Sequence, residues 1–252
     1  MEQPDFKHFG CQECAKGCDL DFDFTMAFQP IVDVENQTVF AHEALVRGIN
    51  GEGAGHVFEN VNSKNRYRFD QSCRVKAIKL AAELEIESNL CINFLPNAIY
   101  KPELCIRTTL AAAEKYGFDA KKIIFEFTEN ERIQDHDHLI SIIRHYQKLN
   151  FQTAIDDFGS GYNGLTLLAN TPTDIAKLDM ALIRDIDQSP IRQAIVKHNM
   201  DMFHDLGIKV IAEGIETQAE YQTLRKFGVT LYQGYYFAKP SFESLAVIHW
   251  PE

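Results

Sequence analysis

The chain is short of positive charge. Its 252 residues carry 25 Lys and Arg against 36 Asp and Glu, a net charge of −11. So acidic a surface disfavours non-specific attachment to polymeric nucleic acid or to an anionic membrane. Apolar runs long enough to cross a bilayer are missing, and the opening MEQPDFKHFG lacks a basic stretch followed by an apolar one. The expectation from these two absences is a cytoplasmic protein with no membrane partner. Internal repeats, low-complexity runs and long Pro/Gly/Ser linkers are also missing. So is the Gly-rich phosphate fingerprint of a doubly wound open sheet. A phosphate ligand remains admissible wherever something local reverses the sign of the charge.

What is present is a core. Hydrophobic residues make up 45% and charged residues 24%, the balance of a globular chain, and the length suits a single α/β barrel. Strand-like runs fall at 26–33, 38–47, 90–95, 123–128, 152–157, 174–179, 208–213 and 231–237. Helical patterns occupy about 71–87, 103–117, 137–149, 189–206, 217–227 and 242–248, with a shorter one near 162–168. Strand alternating with helix implies parallel strands and right-handed crossovers. The first two strands are joined only by Val34-Glu35-Asn36-Gln37, which suits a hairpin and is too short for a parallel crossover. The expected fold is therefore α/β, a modified TIM (β/α)8 barrel with the first strand antiparallel. Residues 1–22 read as a short Cys-containing segment, and 23–252 as the barrel.

Seven of the eight strands carry a polar residue that an apolar interior would reject: Glu43, Asn93, Glu126, Asp156, Lys177, Glu213 and Gln233. An unpartnered buried charge costs several kcal/mol, so the pattern calls for a purpose. Strand alternation places Glu43 with Leu45 and Arg47, and Glu126 with Ile124 and Thr128, on common faces. If those faces point inward, the polar groups meet at the C-terminal mouth, where barrel enzymes keep their active sites. Glu43, Glu126, Asp156, Asp157 and Glu213 are acids, and Lys177 is the one base among them. Two carboxylates about 5 Å apart repel by roughly 3 kcal/mol at an effective dielectric near 20. Carboxylate and amide oxygens without His or Cys select hard ions such as Mg²⁺ or Mn²⁺, and two such ions would nearly neutralise the set. Asp157 has the wrong strand parity for this site, and the expectation is that the glycines of Gly159-Ser160-Gly161 let the chain turn it inward. A dimetal centre suits phosphodiester hydrolysis.

The motifs carry a resemblance. E-A-L-V-R at 43–47, N-F-L-P at 93–96, E-F-T-E at 126–129, D-D-F-G-S-G-Y at 156–162, K-L-D at 177–179, A-E-G-I-E at 212–216 and Q-G-Y-Y-F-A-K-P at 233–240 occur in order at barrel spacing. Over about 24–248 the chain resembles the EAL-domain phosphodiesterases, which cleave cyclic di-GMP to linear pGpG in bacterial signalling. The resemblance implies that Glu43, Asn93, Glu126 and Asp156 hold one Mg²⁺ or Mn²⁺. Asp156 and Asp157 would hold a second, with Glu213 nearby. Lys177 would orient the attacking water or stabilise charge, with Glu213 as the other candidate for activating it. Glu129 would tether the loop after Asp157. Gln29, Leu45 and Arg47 would contact the substrate, Gln233 would hydrogen-bond beside the site, and a homodimer is implied. Ser160 and Gly164 stand where relatives often carry Thr and Ser. The alternatives are a catalytically silent cyclic di-GMP receptor acting through a protein partner, and a pure interaction module.

The chain has six cysteines, at 11, 14, 18, 73, 91 and 105, of which five carry a reading. Cys91 and Cys105 lie in apolar stretches and read as buried small hydrophobes. His8, Cys11, Cys14 and Cys18 form an HxxCxxCxxxC cluster whose spacing could serve Zn²⁺, an Fe–S centre or a redox switch, or could be no more than reduced thiols on a leader.

Overall fold

A computed structural model of the chain describes residues 20–99, 101–128, 136–161 and 164–251. Its strands are β1 (Thr25–Asp33), β2 (Thr38–Arg47), β3 (Asn89–Asn93), β4 (Ile123–Thr128), β5 (Gln152–Phe158), β6 (Ile175–Leu178), β7 (Lys209–Ala212), β8 (Leu231–Tyr232) and β9 (Ser241–Phe242). The helices are α1 (Ala54–Phe58), α2 (Arg66–Glu83), α3 (Pro102–Tyr116), α4 (His136–Lys148), α5 (Gly164–Asn170), α6 (Met180–Ile183), α7 (Pro190–Asp205) and α8 (Gln218–Lys226). Strands β2 to β8 run parallel in chain order, and β1 closes the barrel by pairing antiparallel with both β2 and β8. The four-residue hairpin therefore does what its length demands. Among the described residues no helix is long and apolar enough to cross a membrane. The His8, Cys11, Cys14 and Cys18 cluster and Glu129 lie outside the described residues.

Local sequence explains the ends of the elements. Pro102 and Pro190 open α3 and α7, where a missing N–H is harmless. Thr217 and Glu220 form a reciprocal capping box on α8. The strands are rich in Ile, Val and Phe, and their outward side chains pack under the helices in one large core that includes Phe94, Phe125, Tyr146, Phe158 and Phe203.

Inside the barrel a second, smaller cluster takes one residue from each strand: Ile31, Ala41, Cys91, Ile124, Ala154, Ile175, Ile211 and Leu231. This is the floor. Two residues farther along each parallel strand stand Glu43, Asn93, Glu126, Asp156, Lys177, Glu213 and Gln233, and two residues back along antiparallel β1 stands Gln29. Each of β1 to β8 thus adds one apolar side chain to the floor, with one polar side chain in the ring above it, as a period of two requires.

Two expectations change. Residues 242–248 form no helix. Ser241 and Phe242 instead pair with Phe28 and Ala27 of β1, and Glu243 continues the contact through its N–H to the Met26 carbonyl at 3.1 Å. The reason lies in β1, which meets β8 only at Val32 and Asp33 and so leaves its other half open for a strand to cover. The eighth strand is also shorter than 231–237. It stops at Tyr232 because Gly234 lies against the backbone of Ile215, where an added Cβ would sit 2.1 Å from the Ile215 oxygen and 2.3 Å from its nitrogen. Gly234→Ala must push these two loops apart. The expected loss is about 1–3 kcal/mol, read as a lowered Tm in calorimetry; an unchanged Tm would contradict the close approach.

Candidate active site

Lys177, wholly buried, is the hub of the ring. Its Nζ lies 2.7 Å from Glu213, 3.0 Å from Asp156, 3.1 Å from Glu126 and 3.3 Å from Glu43. An ammonium has three protons to give, so four carboxylates cannot all be served. Asp156 Oδ1 shows the shortfall, being within ion-pair distance of Lys177 yet lacking a hydrogen bond of good geometry. Glu126 Oε1 and Gln233 Oε1 are likewise buried and unpartnered.

The amides steer Glu43. Asn93 Nδ2 donates to Glu43 Oε1 at 2.9 Å, and Gln233 Nε2 donates to Glu43 Oε2 at 2.7 Å and to Gln29 Oε1 at 3.2 Å. Gln29 in turn donates to the Ala238 carbonyl at 3.1 Å. Asn93 also lines the cavity beside the ring, together with Asp156 and Asp157.

Asp157 reaches the mouth by a route that differs from the expected one. Strand β5 bulges against β6: Ile155 pairs with Ala176 and Phe158 with Leu178, so Asp156 and Asp157 together oppose Lys177. The turn is made by Asp157 itself, in the left-handed region at φ 56°, and Gly159 at φ 95° only continues it. Aspartate tolerates this conformation better than most residues. The Asp157 carboxylate is steadied by Thr128, whose hydroxyl donates to it at 2.9 Å.

Carboxylate oxygens converge in two groups, Glu43 with Glu126 and Asp156, and Asp156 with Asp157 and Glu213, each within 4.8 Å of one another. Asp156 belongs to both. With all five acids ionised, Lys177 leaves four net negatives, which two divalent cations would cancel. Unpartnered buried oxygens, an all-oxygen donor set and a shared Asp156 fit a pair of hard cations.

Burial acts against charge here. It pushes Glu126 up to about 8, with Glu43 and Asp156 adding to the effect and Lys177 opposing it. Glu213 is raised well above the usual carboxylate range, first by burial and then by Asp156. Burial disfavours the Lys177 ammonium, but Asp156, Glu126, Glu213 and Glu43 outweigh it and hold the proton firmly.

A cleft of about 320 Å³ opens over the ring, bordered by Gln29, Asp156, Asp157, Glu213, Gln233 and also by Asp179, Met180, Glu216 and Tyr235. Beside it an apolar cavity of about 290 Å³ is lined by Leu45 together with Phe58, Phe69 and Phe94. Leu45 thus borders the neighbouring cavity, and Arg47 bonds the Val46 carbonyl at 2.7 Å through Nη1. Thr128, Tyr235 and Glu216 were not singled out in the sequence as site residues, although all three fall inside the quoted motifs. Only the bulge reveals Thr128 as a partner of Asp157.

An acidic barrel mouth with a lysine at its centre is an arrangement that could hold divalent cations. The chain belongs to the EAL domain family, whose model matches residues 18–240. A standalone versatile EAL protein from Vibrio cholerae O395, solved in a c-di-GMP-bound form, is 58% identical and superimposes with a TM-score of 0.89 over 92% of this chain and 98% of that one. Klebsiella pneumoniae BlrP1, solved as a manganese/cy-diGMP complex, is 34% identical with a TM-score of 0.83 over 94% of this chain and 61% of its own. The blue light- and temperature-regulated antirepressor BluF of Escherichia coli (strain K12) is 30% identical over 90% of this chain, which spans 56% of BluF. Cyclic di-GMP phosphodiesterase PdeR of the same organism is 37% identical over 50% of this chain, a match to 19% of PdeR.

The raised acids predict a pH response of the metal-free protein. A carboxyl raised in the folded state stabilises it below its unfolded pKa, and that stability drains away as pH rises toward the folded value. His42, lowered by burial to about 4, acts in the opposite sense, but only below its unfolded value of 6.5. Between pH 6.5 and 8 in EDTA, the Tm should therefore fall as pH rises. Glu126→Gln should flatten the slope; equal slopes for the two proteins would contradict the assigned burial effect.

Proposed function

We propose that the chain is a divalent-cation-dependent phosphodiesterase that hydrolyses cyclic di-GMP to linear pGpG. The observation carrying this reading is the ring itself: four carboxylates gathered on one lysine, Asp157 close to two of them and Asn93 bonded to a third, with buried oxygens left unpartnered. Support for the substrate comes from the c-di-GMP-bound Vibrio cholerae structure, and for the metals from the manganese complex of BlrP1.

Glu43, Asn93, Glu126 and Asp156 would hold one Mg²⁺ or Mn²⁺, and Asp156 with Asp157 the other, with Glu213 adjacent. Two such ions, when bound, supply Lewis-acid polarisation of the scissile phosphodiester. The protein's own groups do the rest. Lys177, kept protonated by the carboxylates around it, orients water and stabilises charge developing on phosphate. Glu213, which borders the cleft, would take the proton from the attacking water, with Lys177 the other candidate for activating it. Gln233 and Gln29 hold Glu43 in one orientation. Leu45 and Arg47 would contact the dinucleotide, and Glu129 would restrain the loop after Asp157.

A second reading, a catalytically silent cyclic di-GMP receptor acting through a protein partner, takes support from a relative that is named as a regulator, the antirepressor BluF. Binding alone, however, needs neither the complete acid set nor a lysine at its centre. The test is incubation with cyclic di-GMP and Mg²⁺ or Mn²⁺, following pGpG. Product should form and EDTA should stop it. Asp156→Asn and Glu43→Ala should each cut the rate by about 10²-fold or more, the scale of losing one preorganised electrostatic group, with the fold intact by circular dichroism. Either variant hydrolysing at the wild-type rate would refute the site.

A further inference from the structure

Behind the ring, on the outer face of the barrel, lies a buried charge pair that the reaction does not use. Asp70 and Arg74 sit one turn apart on α2, at 2% and 0% exposure. Arg74 Nη2 is 2.9 Å from Asp70 Oδ2, an ion pair without a hydrogen bond of good geometry, and Arg74 Nη1 donates to the Tyr146 hydroxyl on α4 at 3.0 Å. The guanidinium also lies over two aromatic rings, 5.6 Å from the centre of Phe94 and 5.1 Å from that of Phe125.

The positions of these partners matter. Phe94 follows Asn93 directly, and Phe125 precedes Glu126 directly. In a strand, neighbours point to opposite faces, so the two rings that Arg74 covers are the outward companions of two inward oxygen donors. The second oxygen of Asp70 accepts the Leu95 N–H at 2.9 Å, fixing the chain two residues after Asn93. Phe94 N–H in turn donates to the Glu126 carbonyl at 2.9 Å, so β3 and β4 are tied together at the same level.

Stability does not account for the pair. Replacing a buried ion pair with apolar residues of similar volume is often neutral or stabilising. What a planar guanidinium supplies is direction, here through its hydrogen bond to Tyr146, its ion pair with Asp70 and its flat faces over the two rings.

We propose that Asp70, Arg74 and Tyr146 form a buried clamp that positions Asn93 and Glu126 and thereby sets the affinity of the barrel mouth for divalent cations. All three are positioning residues. The proposal rests on the metal-binding reading above. Partners that orient metal ligands are typically worth about 10–100-fold in affinity.

The experiment uses the full chain with Mn²⁺ alone, titrated by calorimetry without nucleotide. In Asp70→Asn/Arg74→Met, where the asparagine oxygen can still accept the Leu95 N–H, the Tm should stay near the wild-type value while the Mn²⁺ dissociation constant rises about tenfold or more. Tyr146→Phe, which removes one hydroxyl, should raise it about threefold, and this variant decides the matter if the double variant fails to fold. Wild-type Mn²⁺ affinity in the folded variants would overturn the clamp while leaving the metal site standing. A wild-type chain that takes up no Mn²⁺ would overturn the metal reading and the clamp with it.

Discussion

One lysine holds together a ring of acids that would otherwise fly apart. Lys177 lies within 3.3 Å of four carboxylates in the interior of a barrel, and it can satisfy only part of their demand. The remainder surfaces as unpartnered buried oxygens and as carboxyls pushed toward protonation. A site under that strain is built for additional positive charge. An all-oxygen set so closely spaced is one that hard divalent ions would suit.

The barrel makes the ring possible by simple alternation. Eight strands each place an apolar residue in the floor and a polar one two positions away in the ring. The floor keeps water out from below, so the charges interact in a medium less screening than solvent. Antiparallel β1 joins on equal terms: Gln29 sits opposite Glu43 in the register and hydrogen-bonds Gln233. The one acid that alternation cannot deliver, Asp157, arrives through a bulge and a left-handed backbone, a local cost of about 1–3 kcal/mol accepted at the functional end of the strand.

Much of this was legible in the residues. The strands betray themselves by runs such as IIFEF and KVIA, and the site by a polar residue recurring inside such runs. The closing role of β1 followed from a connection too short for a crossover. Other features were hidden because they depend on contacts distant in sequence. Residues 242–248 have a helical pattern, but the open edge of β1 recruits Ser241 and Phe242 as a strand instead. The turn at Asp157 looked like the work of glycines, since a bulge is defined by the partner strand and not by the bulged one. Asp70 and Arg74 were not singled out in the sequence; nothing local shows that both are buried and that Arg74 lies over Phe94 and Phe125.

The central claim is that the acids around Lys177 are a cradle for two divalent cations sharing Asp156. Anomalous diffraction at the manganese edge, from crystals grown with Mn²⁺ and the dinucleotide, tests it most directly. Two peaks flanking Asp156 are the predicted result, one toward Glu43, Asn93 and Glu126 and the other toward Asp157. A mouth without manganese, its carboxylates still gathered on Lys177 alone, would contradict the account.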